Sequence, residues 1–357
     1  MASKKIRTAL LSYGMSGEVF HVPLLKAHPG FEITKIFQRN PQKSASHEFA
    51  VVNDIREILG DASVELVIVN TPNETHYSYA LEALNAGKHV IVEKPFTVRV
   101  KEADELIALA EKKNRLLTVF QNRRWDADFL TVKKVLDAGL LGKLVECEIH
   151  YDRFRNYIEP NTWKEIAKPG TGLLYNLGSH LLDQALVLFG MPRYIDARLG
   201  VQRPGGAVDD FFDIRMEYNE FFVILKSSYL VREEGPRFKL HGTEGSFLKW
   251  GIDPQEQALK DKKIPGSDNW GSESKEWWGK LNTTINGKHI ESAYETLPGN
   301  YLSFYDNVYA ALREEKPLAV KSSQARDVIS LIEACKESNR MRCAVKIQSV
   351  SAGMKTP

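Results

Sequence analysis

Cysteine is scarce: 357 residues hold three, Cys147, Cys335 and Cys343. They form no CxxC pair and no Cys/His ligand spacing, which excludes a disulfide framework and a zinc module and fits a reducing compartment. An excess of one charge is also missing. Forty-eight lysines and arginines face 46 acidic residues, a net +2, too even for the electrostatic footprint of a nucleic-acid binder. No run approaches the ~18 apolar residues of a membrane span. The opening MASKKIRTALL has no signal-peptide core or cleavage site. These absences predict a soluble, cytoplasmic chain with no metal site and no nucleic-acid or membrane partner. What remains is 43% apolar and 26% charged, an ordinary globular mixture long enough for two domains of ~150 residues.

From Ile6 to Phe120 short apolar runs alternate with segments of helical length. Thr8 to Leu11, Ile33 to Phe37, Leu66 to Val69, Val90 to Val92 and Leu116 to Phe120 are continuous and β-branched, as strands buried on both faces should be. His76 to Ala86 and Val100 to Asn114 carry apolar residues at helical spacing. The rhythm predicts an α/β fold with a doubly wound parallel sheet. After Asn122 longer strands are expected at 144–154, 198–202, 211–218, 221–229 and 237–240, with a turn at Tyr218-Asn219-Glu220, which implies a mixed sheet. Helices are expected at 178–189, 301–312 and 324–338, packing back between the domains, while 253–299 reads as polar and irregular. The domains are therefore placed at 1–122 and 123–357.

The turn after the first strand is Ser12-Tyr13-Gly14-Met15-Ser16-Gly17, a G-x-G-x-x-G pattern with serine at its first glycine. Gly14 lets backbone approach a pyrophosphate, and Gly17 permits close packing at a helix start. Pro23 limits that helix to a short or broken one. An NAD-binding domain usually places a carboxylate at the end of its second strand, whereas here Phe37-Gln38-Arg39-Asn40 offers Arg39, suited to the 2′-phosphate of NADP(H) in preference to NAD(H). Thr71, Pro72 and Asn73 follow the third strand, with Thr75 as a helix cap before His76. The fourth strand ends in Glu93-Lys94-Pro95. A lysine at that edge can stabilise an alkoxide as a hydride leaves.

The glycine turn, the TPN loop with His76, AGKHVIVEKP at 86–95 and YNLGSHLLDQ at 175–184 together resemble the glucose-fructose oxidoreductase / inositol dehydrogenase / MocA (Gfo/Idh/MocA) family, over nearly the whole chain. GMSGEVFHVPLL at 14–25 is similar to its NADP-linked scyllo-inositol dehydrogenase branch. The resemblance implies a Rossmann domain, a C-terminal domain whose open mixed sheet forms subunit interfaces, and hydride transfer at a carbon of a sugar or cyclitol. It assigns Lys94 and His180 as catalytic, Lys94 stabilising the developing alkoxide and His180 taking or returning the hydroxyl proton, often with a cis peptide before Pro95. It implies cofactor contacts from Ser12, Gly14, Met15, Ser16, Gly17, Arg39, Thr71, Pro72, Asn73, His76, Glu93, Lys94 and Asn122.

If 176–183 is helical, Asn176, His180 and Asp183 share one face. The family commonly has aspartate where this chain has Asn176, which can still hydrogen-bond a substrate hydroxyl. Restoring aspartate should raise the His180 pKa if the two adjoin. Asp183 either contacts substrate or orients the helix. Tyr151, Arg153 and Arg155 share one face if extended, and with Trp163 they are candidates for the sugar pocket. Arg124 or Trp125 is placed at the substrate or the domain junction, and Arg123 and Arg124 equally suit structural salt bridges. Trp270 to Trp278 reads as packing.

The resulting expectation is a dehydrogenase of CH-OH groups acting on a small polyol or sugar, assembled as a homodimer or homotetramer through Phe211, Phe221 and Val223. The rivals are an NAD-dependent glycosidase on the same fold and a non-catalytic NAD(P)-binding regulator.

Overall fold

The computed structural model describes residues 5–39 and 48–348; Asn40, at the end of the second-strand reading, lies outside them. The first domain runs β1 (Ile6–Leu10), α1 (Val22–Ala27), β2 (Phe31–Phe37), β3 (Ala50–Val52), α2 (Arg56–Leu59), β4 (Leu66–Val69), α3 (His76–Asn85), β5 (His89–Val92), α4 (Val100–Lys113) and β6 (Leu117–Val119). Its strands form one parallel sheet in the order β3-β2-β1-β4-β5-β6. β4 is buried along its whole length, as helices on both faces of a sheet require. Chain order reverses between β1 and β4, so the ligand crevice opens at the carboxyl ends of these strands. The edge strand β3 was not expected; at three residues it is too short to show a period.

The second domain comprises α5 (Ala127–Asp137), β7 (Leu144–His150), α6 (Ser179–Phe189), β8 (Tyr194–Gly200), β9 (Phe211–Glu217), β10 (Phe222–Ser228), β11 (Phe238–Gly242), β12 (Gly245–Lys249), α7 (Gln255–Lys260), β13 (Gly279–Ile285), β14 (Lys288–Tyr294), α8 (Leu302–Arg313), α9 (Ser322–Met341) and β15 (Val345–Lys346). Nine strands form a mixed sheet, β14-β13-β12-β11-β7-β10-β9-β8-β15, in which β7 and β10 run parallel. The expected turn joins β9 to β10, Tyr218 donating its N–H to the Phe221 carbonyl at 3.0 Å.

Two expectations are corrected. The stretch 253–299 contains α7 and the β13–β14 hairpin, turned at Asn286 and Gly287 with φ of 51° and 75°, the backbone that Asn-Gly favours. β14 is mostly exposed, so it carries no apolar alternation. On the large sheet Val223 is fully buried against the core, and Phe221 stacks on Tyr218 at 4.6 Å. The outward positions of β10 are Phe222 and Ile224 instead. Packed on the inner face, α9 also touches α4 of the first domain, and α8 packs on α1. The domains are joined there by an aromatic cluster in which Phe120 meets Phe20, Phe304 and Tyr305.

Candidate active site

After β1 the chain turns through Ser12–Ser16 into a π turn, Gly17–His21, that breaks the helix before α1, with Pro23 in its first turn. Gly14 donates its N–H to Ser12 Oγ at 3.0 Å. A β-carbon on Gly17 would lie 2.6 Å from the Ser12 carbonyl oxygen and 2.9 Å from Asn70 Nδ2, so glycine alone lets the helix begin this close to β1. Asn70, ending β4, donates to the Ser12 carbonyl at 2.8 Å, while its Oδ1 is buried without a partner among the described residues. Gly14 and Met15 are exposed above this turn. An open glycine turn beside an orphaned polar atom, at the sheet's switch point, fits a dinucleotide pyrophosphate. Arg39 follows β2 at the same edge and is exposed.

Beyond β5 the Lys94–Pro95 peptide is cis. Lys94 Nζ reaches the second domain, donating to the Asn176 carbonyl at 2.9 Å and to its Oδ1 at 3.3 Å. Asn176 lies in a π turn, Leu174–Gly178, ahead of α6, and its Nδ2 is 3.5 Å from Tyr229 Oη. His180 begins α6, buried, with Nδ1 unpartnered among the described residues. Burial, then repulsion from Lys94, Arg123 and Arg237, holds its imidazole well below the usual histidine range. Burial also lowers Lys94 to about 7, against the pull of Glu93. Beneath them Tyr151 is fully buried, its ring faced by Arg237 (4.3 Å), Arg123 (4.9 Å) and Arg153 (5.2 Å), and its hydroxyl has no partner among the described residues.

Residues 6–121 match the model of an oxidoreductase family, NAD-binding Rossmann fold, and residues 133–347 match that family's C-terminal alpha/beta domain. The chain belongs to the Gfo/Idh/MocA oxidoreductase family. It is 38% identical over 348 residues to scyllo-inositol 2-dehydrogenase (NADP(+)) IolW of Bacillus subtilis (strain 168), covering 96% of both chains. The fold superposes on yvaA of Bacillus subtilis with a TM-score of 0.93 at 36% identity, covering 98% of this chain and 100% of that one. A Bacteroides fragilis NCTC 9343 structure is 47% identical with a TM-score of 0.87, covering 96% of this chain and all of its own.

Within this Gfo/Idh/MocA chain several sequence assignments change. Asn176 sits in the π turn ahead of α6, where its side chain meets Lys94 and Tyr229. Asp183 takes the second of its two expected roles, anchoring the helix: both of its oxygens accept from Arg124, at 2.6 and 2.8 Å, and the pair is buried. Arg124 also donates to the Ala319 carbonyl and to Gln324, and Arg123 bridges Asp126 and Glu256, so both arginines are structural. His76 is fully buried between the Thr71 and Pro95 carbonyls, at 2.9 and 2.8 Å, and ties the TPN loop to the lysine turn rather than touching a cofactor. Glu93 is likewise committed internally, Oε1 to His21 and Oε2 to the Lys94 N–H. Asn73 donates to the Gly170 carbonyl across the domain junction. Thr75 bonds the Pro72 carbonyl and Thr71 Oγ1, giving no side-chain cap to α3.

Other assigned residues line the crevice edge. Pro72 and Thr71 are half-buried, Ser16 precedes the π turn, and Asn122 is buried in the 3-10 turn after β6. Tyr151, Arg153 and Arg155 donate their backbone N–H groups to the carbonyls of Lys226, Ser228 and Tyr229 in turn. Trp163 sits half-buried in a 3-10 turn capped by Thr162. Of the tryptophan stretch, Trp270 bonds Gln255. The sequence reading missed Asn70 and His21. His21 joins Tyr305 Oη, 2.6 Å from Nδ1, to Glu93, 3.1 Å from Nε2. Its only signal was its place five residues before a lysine, within GMSGEVFHVPLL.

Proposed function

We propose that the protein is an NADP(H)-preferring dehydrogenase of CH-OH groups that acts on a polyol, cyclitol or sugar. The observation that carries this reading is Lys94 Nζ, projected from the carboxyl edge of the dinucleotide-type sheet to the Asn176 carbonyl of the second domain, within electrostatic reach of the buried His180. When bound, the nicotinamide supplies the hydride acceptor or donor. Ser12, Gly14, Gly17 and Asn70 shape the pyrophosphate turn, and Arg39 offers a cation where an NAD enzyme offers a carboxylate. The NADP(+) in the name of the Bacillus subtilis relative supports the same preference.

Lys94, lowered by burial to about 7, is a stronger base than His180, which burial holds well below its usual range. In oxidation the unprotonated Lys94 takes the substrate hydroxyl proton, and in reduction Lys94-NH3+ returns it. His180 stays neutral and orients the substrate oxygen through its free ring nitrogen. This reverses the division of labour expected from the sequence, in which His180 carried the proton. Asn176 holds Lys94 in place, and Tyr151, Arg153 and Trp163 border the substrate. The protein acts in the cytoplasm as a homodimer or homotetramer joined by the outer face of its large sheet. Net NADPH consumption with ketoses and inososes tests the reading. Cleavage of aryl glycosides, or tight cofactor binding without turnover on the panel, would overturn it.

A further inference from the structure

The crevice holds more positive charge than its carboxylates neutralise. Six cations converge there: Lys94, Arg123, Arg153, Arg155, Lys164 and Arg237. Arg123 pairs with Asp126 (3.1 Å) and Glu256 (2.7 Å), and Arg237 with Asp128 (3.2 Å). Glu93, the carboxylate beside Lys94, is taken by His21. The other cations rest on carbonyls and rings. Lys94 donates to Asn176, Arg153 lies 5.2 Å from the Tyr151 ring, Arg155 5.7 Å from the Tyr229 ring, and Lys164 6.0 Å from the Trp163 ring. Among the described residues none of these four has a carboxylate in ion-pair contact. An aromatic face holds a guanidinium or ammonium without neutralising it.

These cations lie within electrostatic range of one another. Arg155 stacks on the ring of Tyr229, whose hydroxyl is 3.5 Å from Asn176, whose Oδ1 in turn is 3.3 Å from Lys94 Nζ. Arg153 stacks on Tyr151, and the unpartnered Tyr151 hydroxyl and His180 Nδ1 lie buried within the same set. Lys164 and Arg123 repel Lys94, and Arg155 and Arg153 repel Lys164. Glu256 and Glu234 act on Arg153 from a distance only, Glu256 being bonded to Arg123 and Lys260. Arg153, Arg155 and Lys164 belong to the second domain, whereas the Ser12–Gly17 turn and Arg39 belong to the first. Like charges left unpaired in a half-buried crevice are a standing cost that an anion would relieve.

We propose that the substrate is a polyol bearing one anionic substituent, a carboxylate or a phosphate, held by Arg153, Arg155 and Lys164 while its carbinol carbon meets Lys94. This rests on the polyol dehydrogenase reading and narrows it. The planar guanidinium fork suits either oxyanion. The test is calorimetric titration of the full-length protein, with NADP+ bound, using glucitol, gluconate and glucitol 6-phosphate. At least one anion should bind about tenfold or more tighter than glucitol, and added potassium chloride should erode that advantage. Lys164→Gln, at an exposed position, and Arg155→Gln should each bring the ratio towards unity. The preferred anion distinguishes carboxylate from phosphate. The proposal is overturned if glucitol binds as well as both anions, if neither anion binds, or if the ratio survives both substitutions. The outcomes separate the two readings. Reduction of ketoses or inososes without any anion advantage defeats only this proposal, whereas selective anion binding without any hydride transfer defeats only the dehydrogenase.

Discussion

At the scale of single residues, three side chains carry opposable expectations. Arg39→Ala should weaken NADPH binding by about 1.5–3 kcal/mol, the range of a charge-assisted contact, with little change for NADH; equal loss for both in a titration would remove Arg39 from the 2′-phosphate. Lys94→Ala should lower kcat about 10²- to 10⁴-fold while cofactor affinity stays near normal, as for a proton-exchanging group. The pH dependence follows from its depressed pKa. Oxidation needs the unprotonated amine, so kcat/KM for oxidation should rise through about pH 7, and reduction should fall over the same interval. Asn176 adjusts that limb. Its Oδ1 lies 3.3 Å from Lys94 Nζ, so Asn176→Asp sets a negative charge against the ammonium and favours the protonated form, raising the pKa by about 1–3 units. The oxidation limb should move to higher pH by that amount, and reduction should persist further into alkali. A limb unmoved in a folded, cofactor-binding variant would show that Lys94 is not the titrating group.

At the scale of elements, the joint between α6 and the 122–125 turn depends on a buried pair. Arg124 grips both oxygens of Asp183, and it also fastens the Ala319 carbonyl and Gln324 in the first turn of α9. Asp183→Ala leaves that guanidinium buried and unpaired, so unfolding in urea should show a loss of about 3–5 kcal/mol. A variant of normal stability with a raised KM would instead return Asp183 to the substrate. This case marks where the sequence is legible and where it is not. β4 and the Val90–Val92 run of β5 could be read directly because strands covered on both faces are apolar there. Gly17 could be read because a close approach forbids a β-carbon. Asp183, His76 and Glu93 stand in the right motif and on the right edge, yet their partners Arg124, Pro95 and His21 are fixed by tertiary packing. A motif gives a residue's address and leaves its bonds open. The two π turns, at 17–21 and 174–178, are hidden for a related reason: the inserted residue changes which side chains share a face without changing the composition.

At the scale of the whole molecule, the unfinished surface is the outer face of the nine-stranded sheet. Its inner face is spent on the core, where Ile149, Ile214 and Leu225 are fully buried. The outer face alternates with them and mixes apolar Phe222 and Ile224 with ion pairs such as Lys226–Asp213 and Lys239–Glu148. A sheet open on one side, carrying partly buried apolar side chains among paired charges, is the face on which the assembly proposed above would be built. Light scattering at micromolar concentration should therefore give a dimer or tetramer. Ile224 sits opposite Arg215 on β9, near the middle of that face, so Ile224→Glu adds a charge that burial in an interface would strand. The variant should dissociate towards monomer while keeping its thermal transition at low protein concentration. A wild-type monomer would refute the assembly. A variant that loses its fold without changing its assembly would show that Ile224 belongs to the subunit interior and that the contact lies elsewhere.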